Sequence, residues 1–377
     1  MTETSIVESV TIRELGLFFL KLGATGFGGP IALAGTMQRV LVDERRWISR
    51  DEYVEGLALA QLAPGPLAAQ LAMYLGYIRG GVIGATVVAV AFVLPSFLIV
   101  WVIAAAYVKF GGLWWMQAVF YGIGAAVIGV IARSVIKLAR LTLGRETLLL
   151  AIAVVLAITT AITGRENIWL FVLSGFGPIW ATRTCRSGSI AVLGAMSTTA
   201  APAVATTSLL SIAWFFIQAG AFVFGSGLAV VPFLYGGVVQ ERHWLTEQQF
   251  VDAVAVAMIT PGPVVITVAF IGFLVRGVAG MMVAAVGVFL PAYLIVVVAA
   301  PSFRRYQGHP AIKQFVSGVT AAATGAIAGA AVLLAHRALV DPWTIGIAVA
   351  TTLILWRWRV SESWLIAGAG VLGLWLR

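Results

Sequence analysis

Two Pro-Gly-Pro triplets, Pro64-Gly65-Pro66 and Pro261-Gly262-Pro263, stand inside strongly apolar sequence. Paired prolines remove two backbone donors and clash with the preceding turn, so a helix entering either triplet must unwind and restart just beyond it. A restarted helix presents free N–H groups and the positive end of its dipole, which together hold an anion without a buried lysine. A second break precedes each triplet: Phe27-Gly28-Gly29-Pro30 in one case, Phe224-Gly225-Ser226-Gly227 in the other. Its glycines let another backbone approach closely. Polar side chains flank these breaks and suit oxyanion oxygens: Lys21, Thr25, Gln61 and Gln70 around the first pair, Ser226, Thr260 and Thr267 around the second. Ordinary interhelical hydrogen bonding is the plainer use of each, and Lys21 could snorkel to an interface.

The two sets are copies. Gly28 and Gly225, Glu44 and Glu241, Pro64 and Pro261, and Gly80 and Gly277 are all 197 residues apart. Between the breaks run Glu44-Arg45-Arg46-Trp47 and Glu241-Arg242-His243-Trp244. Each loop reads either as a solvated turn at a membrane surface or as a charged rim that gates an anion's entry. Trp47 and Trp244 read as interfacial anchors. Next come Ser49 with Glu52 and Thr246 with Gln249, both capping boxes, so both copies restart a helix at the same place. Glu55 and Asp252 are matched acids one turn into those helices. They read as solvated interfacial carboxylates or, alternatively, as carriers of a coupling proton.

Membrane helices must position these breaks. The 377-residue chain is 61% hydrophobic and 10% charged, against about 25% charged in soluble domains. Runs of roughly 20 apolar residues suffice to cross a bilayer. The expected fold is therefore an all-α polytopic membrane protein. Spans are expected at Glu14–Met37, Tyr53–Ile78, Gly81–Val108, Leu113–Leu138, Glu146–Thr163 and Asn167–Arg183, and again at Ile212–Val238, Phe250–Val275, Val278–Ala300, Gln314–Leu334, Pro342–Trp356 and Trp364–Leu376. This divides the chain into repeats at 1–186 and 212–377, joined by 187–211. Basic residues concentrate on one face only if Ser189–Ser211 also crosses. That gives thirteen spans, a cytoplasmic N-terminus and two six-span halves of opposite orientation; a re-entrant first segment would upset the count. Paired interruptions in two such halves mark a transporter's binding site. Gly80 to Gly84 and Gly325 to Gly329 are small-residue patterns suited to helix packing.

Other chemistries are disfavoured. The net charge of +9 sits in short links and reads as topology signal and lipid-headgroup contact rather than nucleic-acid binding. Cys185 is the one cysteine, and the three histidines are scattered, so neither a disulfide nor a metal site is expected. There is no phosphate-binding P-loop and no nucleophile–base arrangement. No cofactor and no enzymatic activity are expected. The N-terminal residues lack a positive leader region, so the first span is expected to act as its own insertion signal.

The doubled pattern of a Phe-Gly-Gly-Pro-like break, a Glu-Arg-x-Trp loop and a Pro-Gly-Pro break resembles the chromate ion transporter family in its long, two-domain form. The resemblance implies chromate export from the bacterial cytoplasm through the inner membrane, chromate resistance, and the proton-motive force as drive. It implicates Gly28, Gly29, Pro30, Glu44, Arg45, Trp47, Pro64, Gly65 and Pro66 with their second-half counterparts. Sulfate is the look-alike anion, and its uptake or exchange is the alternative; a non-transporting scaffold is the alternative of another class. Expected partners are the oxyanion, protons or another coupling ion, lipids and a second copy of the chain. Ser226-Gly227 stands where the first half has Gly29-Pro30, so the halves are expected to share duties unequally.

Overall fold

The computed structural model describes residues 8–27, 29–111, 113–144, 146–163, 168–183, 208–221, 223, 230–302, 310–358 and 360–377. Most of the expected link at 187–211 lies outside them, as do Gly28, Gly225, Ser226 and Gly227. Among the described residues the chain is helical throughout. In the first half α1 (Ile12–Thr25), α2 (Gly29–Met37) and α3 (Arg50–Leu62) lead to α4 (Leu67–Phe110), α5 (Trp114–Thr142), α6 (Thr147–Thr163) and α7 (Ile168–Arg183). The second half repeats the order as α8 (Leu209–Ala221), α9 (Val231–Leu234), α10 (Glu247–Ile259), α11 (Thr267–Ala299), α12 (Pro310–Ala338), α13 (Pro342–Arg357) and α14 (Glu362–Leu376). A seven-residue π-helical turn follows both α2, at Gln38–Glu44, and α9, at Tyr235–Glu241. Both capping boxes form as expected, and each starts a helix of 13 residues.

The first two expected spans of the first half do not run straight. Glu8 N–H donates to the Arg46 carbonyl at 3.0 Å, so α1 and the α2 limb leave from and return to the same end. Likewise Arg79 Nη2 lies 2.6 Å from Glu52 Oε2. A continuous helix would hold those residues about 40 Å apart. Pro64-Gly65-Pro66 is therefore the tip of a hairpin of half-helices, and the expectation that Glu14–Met37 and Tyr53–Ile78 each cross is corrected. The prolines end one half-helix and the glycine, at φ +139°, reverses the chain. In the second half Arg242 reaches the Phe215 ring at 4.4 Å, another pair that a straight helix would part by about 40 Å.

A second reversal follows each tip. Gly80 and Gly81 leave helical geometry, with Gly81 at φ +56°. A side chain on Gly84 would strike the Gly76 carbonyl, eight residues back and about 12 Å distant in a straight helix. So α4 is a short limb, 67–79, folded on a long limb, 82–110. Arg276 and Gly277 make the same turn in α11, where Gly272 meets Gly280. The expected division between Tyr53–Ile78 and Gly81–Val108 thus falls at a true chain reversal.

The long limbs of α4 and α11 pack together and pass in opposite directions. The Thr86 hydroxyl, near the start of one, is 2.7 Å from the Tyr293 hydroxyl, late in the other. Tyr107, near the end of the first, stacks edge-on to Phe270 just before the turn that begins the second. The remaining helices are exchanged between halves. Long α5 packs on α13 and α14, and long α12 packs on α6 and α7. Glycines set these approaches: Gly129 meets Ala348, Gly122 meets Ala369, Gly325 meets Ala153 and Gly329 meets Ala157. Among the described residues four helices, α4, α5, the segment containing α11, and α12, are long and apolar enough to cross a membrane. The chain is thus a helical membrane protein.

Candidate functional site at the two elbows

The two Pro-Gly-Pro elbows are locked into each other's halves. Gly65 N–H donates to the Val223 carbonyl at 2.5 Å, and Gly262 N–H donates to the Gly26 carbonyl at 2.8 Å. Both donor and acceptor pairs are 197 residues apart, so each tip binds the end of the first helix of the other half. Neither glycine tolerates a side chain. One on Gly65 would meet the Gln70 amide and the Ala292 methyl; one on Gly262, at φ +96°, would meet the Ser96 hydroxyl. Ala292 and Ser96 each follow the proline of a long limb, Pro291 and Pro95. The residues just after these prolines thus lie against the opposite elbows.

Beyond the first elbow, helix α4 begins at Leu67, and its first intrahelical bond is Gln70 N–H to Pro66 O at 2.9 Å. The N–H groups of Leu67, Ala68 and Ala69 precede any intrahelical acceptor. Gln70 is fully buried, and its Nε2 donates to the Pro64 carbonyl at 2.6 Å. In the second half the chain restarts through a 3-10 turn, Val264–Ile266, before α11. There Thr267 is also buried, and its hydroxyl donates to Val264 O at 2.8 Å.

Other expected binding residues are placed less centrally. Lys21, Thr25 and Gln61 are exposed, and Pro30 is half-buried in the first turn of α2, whose Gly29 has φ +76°. Pro66, Pro261, Pro263 and Thr260 are buried. The hydroxyls of Thr25 and Thr260 donate to carbonyls of their own helices, Lys21 O at 2.8 Å and Val256 O at 2.6 Å. Their protons are thereby committed inside the helix.

The charged loops hold the tryptophans expected as interfacial anchors against their own arginines. Trp47 and Trp244 are half-buried beneath arginines: the Arg45 guanidinium is 4.4 Å from the Trp47 ring, and that of Arg242 is 5.5 Å from Trp244. Glu44 pairs with Arg39 at 3.8 Å, whereas Glu241 pairs with Arg242 at 3.3 Å. The two matched acids are not solvated. Glu55 is 8% exposed and Asp252 3%, because the re-entrant hairpins carry the second turns of α3 and α10, though not their exposed first turns, in among neighbouring helices. Asp252 accepts from Tyr107 at 2.7 Å and Gln248 at 2.9 Å. It lines a cavity of about 410 Å³ shared with Gln117, Tyr121 and Arg377.

Sequence reasoning missed Ser96, Tyr107, Val223 and Gly26. Gly26 and Val223 carried a faint signal, since they occupy equivalent positions of the repeat, but their identities differ. Arg79, read as a topology charge, instead clamps Glu52 through both guanidinium nitrogens and donates to Trp47 O at 2.8 Å.

Broken helices whose tips each lock onto the end of the other half's first helix, inside an apolar helical bundle, are the arrangement of a membrane transporter built of repeated halves. The model of the chromate transporter family matches residues 13–179 and 210–374, and the chain belongs to that family. It is 56% identical over 373 residues to the chromate transport protein of Cupriavidus metallidurans, covering 97% of this chain and 93% of that one. It is 54% identical to the probable chromate transport protein of Synechococcus elongatus, covering 97% and 95%. A chromate transport protein of Pseudomonas aeruginosa is 29% identical over the whole of this chain and 94% of its own. No solved structure matches the chain. The family is one of transporters, not enzymes.

Proposed function

We propose that this chain exports chromate across the bacterial inner membrane, driven by the proton-motive force, and so confers chromate resistance. The reading rests above all on the reciprocal bonds Gly65–Val223 and Gly262–Gly26. They tie each elbow to the first helix of the other half, and beyond each elbow the backbone N–H groups of a restarted helix are suited to hold a tetrahedral oxyanion. The halves act as inverted repeats. Opposed long limbs support this, as does the approach of Tyr107, at the end of one half's long limb, to Asp252, at the start of the other half's hairpin. The re-entrant hairpins return to their own side, so each half crosses by a long limb and three further helices. A crossing by the link then lets the second half start on the opposite face. That reading gives nine crossings rather than thirteen. Access alternates as one pair of elbows parts from the other half's helix end, and Asp252, in the cavity of about 410 Å³, carries the coupling proton.

The test is labelled chromate uptake into inverted vesicles holding the full chain, with and without a proton gradient and with sulfate as competitor. Accumulation that needs the gradient is expected. Gradient-independent sulfate exchange would move the assignment to sulfate, and no anion movement under any gradient would leave a scaffold. Cysteines placed at Ser49 and Thr246 should label from opposite faces; labelling from one face would refute the inversion.

A further inference from the structure

A cavity of about 100 Å³ lies between α8, α9 and the π-helical turn that follows α9. One water needs only ~10–15 Å³ of such space, so the cavity admits a small polyatomic ion. Its apolar wall is Phe215 stacked on Phe233, with ring centres 5.4 Å apart. Gly236 and Gly237 leave the turn bare on another side. A side chain on Gly237 would strike the Phe215 ring and stand 3.3 Å from Arg242 Nη1.

The polar groups in this wall are Arg242, Gln218 and Glu241. Arg242 is fixed between two aromatic faces, 4.4 Å from the Phe215 ring centre and 5.5 Å from that of Trp244. Its Nη1 donates to Gly237 O and to Glu241 Oε2, both at 3.3 Å, longer than the ~2.7–2.9 Å of a strong charge-assisted bond. Its Nε and Nη2 reach no described residue. Those two nitrogens form an edge of the fork that takes two oxygens of one anion side by side. Gln218 is half-buried on α8, and its amide donates to no described residue. A guanidinium edge and an amide N–H therefore border one space. The first half is built differently: Arg39 and Val40 stand where Gly236 and Gly237 do, and Glu44 pairs with Arg39.

We propose that this cavity is a second anion site, separate from the elbows, in which Arg242 and Gln218 hold a free tetrahedral oxyanion. The identity of the anion rests on the reading of the chain as an oxyanion transporter; the site does not depend on the elbows binding one. Gln218 stands five residues before Val223, whose carbonyl holds the first elbow, about 7–8 Å along the helix. The anion is thus received at the charged loop and held one and a half turns from that elbow. Glu241 is the resident competitor. Its side chain is 47% exposed, so it turns to water at little cost, and a dianion attracts the one guanidinium about twice as strongly as a carboxylate at the same distance.

The same chemistry would suit the phosphate of a lipid headgroup, and the test separates the two sources. The purified full chain, in detergent free of anionic lipid, is treated with phenylglyoxal, and modification of each arginine is read by peptide mass spectrometry. Sulfate, which is redox-inert, should slow the modification of Arg242 and leave exposed Arg50 unchanged, while chloride at equal ionic strength should protect neither. Gln218→Leu should raise the sulfate concentration for half protection by about tenfold to a hundredfold, the worth of one hydrogen bond to a charged group. Glu241→Gln should lower it by about twofold to fivefold; if Gln218→Leu fails to fold, this change at a half-exposed side chain carries the arm. Equal protection by chloride, or a sulfate dependence that neither variant moves, overturns the proposal. So does protection that appears in phosphatidylglycerol nanodiscs, against phosphatidylcholine ones, but not with sulfate, which assigns the cavity to a headgroup. Chromate counterflow without sulfate protection of Arg242 removes the site and leaves transport standing; protection without flux under any gradient does the reverse.

Discussion

Gly262→Ala tests the interlocked elbows most directly. The residue sits at φ +96°, a conformation that costs a residue with a side chain about 1–3 kcal/mol. The new methyl would also overlap Ser96 Oγ, with Ser96 Cβ 3.2 Å away. Overpacking of this sort adds about 1–3 kcal/mol. Relief by shifting the elbow would stretch the 2.8 Å bond to Gly26 O and lose a further 0.5–1.5 kcal/mol or so. A total of about 2.5–7.5 kcal/mol follows, which should lower the melting temperature in detergent by several degrees and abolish chromate counterflow. The steric part is separable. Ser96→Ala removes the hydroxyl but leaves the backbone strain, and alone it gives up only a 3.5 Å contact to Gly23 O. The double variant should therefore recover about 1–2 kcal/mol relative to Gly262→Ala, a favourable coupling in the double-mutant cycle. Additive effects, or a Gly262→Ala protein that melts like the parent, would refute the packing of this elbow on the α4 limb.

Three other outcomes check separate parts of the fold. Arg79→Lys should cost about 1.5–3 kcal/mol in the melt, since an ammonium cannot reproduce the fork onto Glu52 and Trp47 O; Gln249 stands where Glu52 does, so the second hairpin has no carboxylate at that position. Arg242→Ala should destabilise by about 1 kcal/mol more than Arg45→Ala, because Arg242 is half-buried against both Phe215 and Trp244 whereas Arg45 is exposed. Asp341, which caps α13 from the preceding link, has its carboxyl held below the usual carboxylate range by the Tyr121 hydroxyl and then by the Thr344 amide. A depressed carboxyl contributes stability above its unfolded pKa and loses it as pH falls through the folded value; acidification should lower the parent's melting temperature more than that of Asp341→Asn.

How much of this was legible depended on how local each signal was. The capping boxes, the helix restarts after Pro66 and near Thr267, and the reversal at Gly80 were readable because each rests on two or three adjacent residues of fixed chemistry. The re-entrant course of the hairpins was not. Hydropathy counts apolar residues and is blind to whether a broken segment continues or returns, and the residues that return it, Arg79 with Glu52, are far apart in sequence. For the same reason the acids were misplaced. One turn into a straight span, Glu55 and Asp252 would sit at a surface; one turn into a folded-back hairpin, they are covered by neighbouring helices. Partners such as Tyr107 for Asp252 belong to the other half, where no local pattern points to them.

The register of 197 residues also separates what the halves share from what they do not. Shared features are structural: the reversing glycines, the capping boxes, the Pro-kinked limbs and the reciprocal carbonyl bonds. Each of these needs only backbone or a small side chain, so drift elsewhere leaves it intact. The differences are chemical; two lie beside the elbows and one at the opposite end of the hairpin. Gln70 faces Thr267 across the repeat, Ser96 faces Ala292, and the Arg79–Glu52 fork faces Arg276 and Gln249. Within each comparison the first half carries the larger or more polar group. A symmetric frame of backbone bonds ties each elbow to the other half's first helix, while the side chains beside the elbows differ: Gln70 reaches back to Pro64 O, and Thr267 is closed onto Val264 O. Because α5 and α12 each pack on the other half's helices, neither half can be removed without exposing the other's core, so both elbows form only within the interlocked pair.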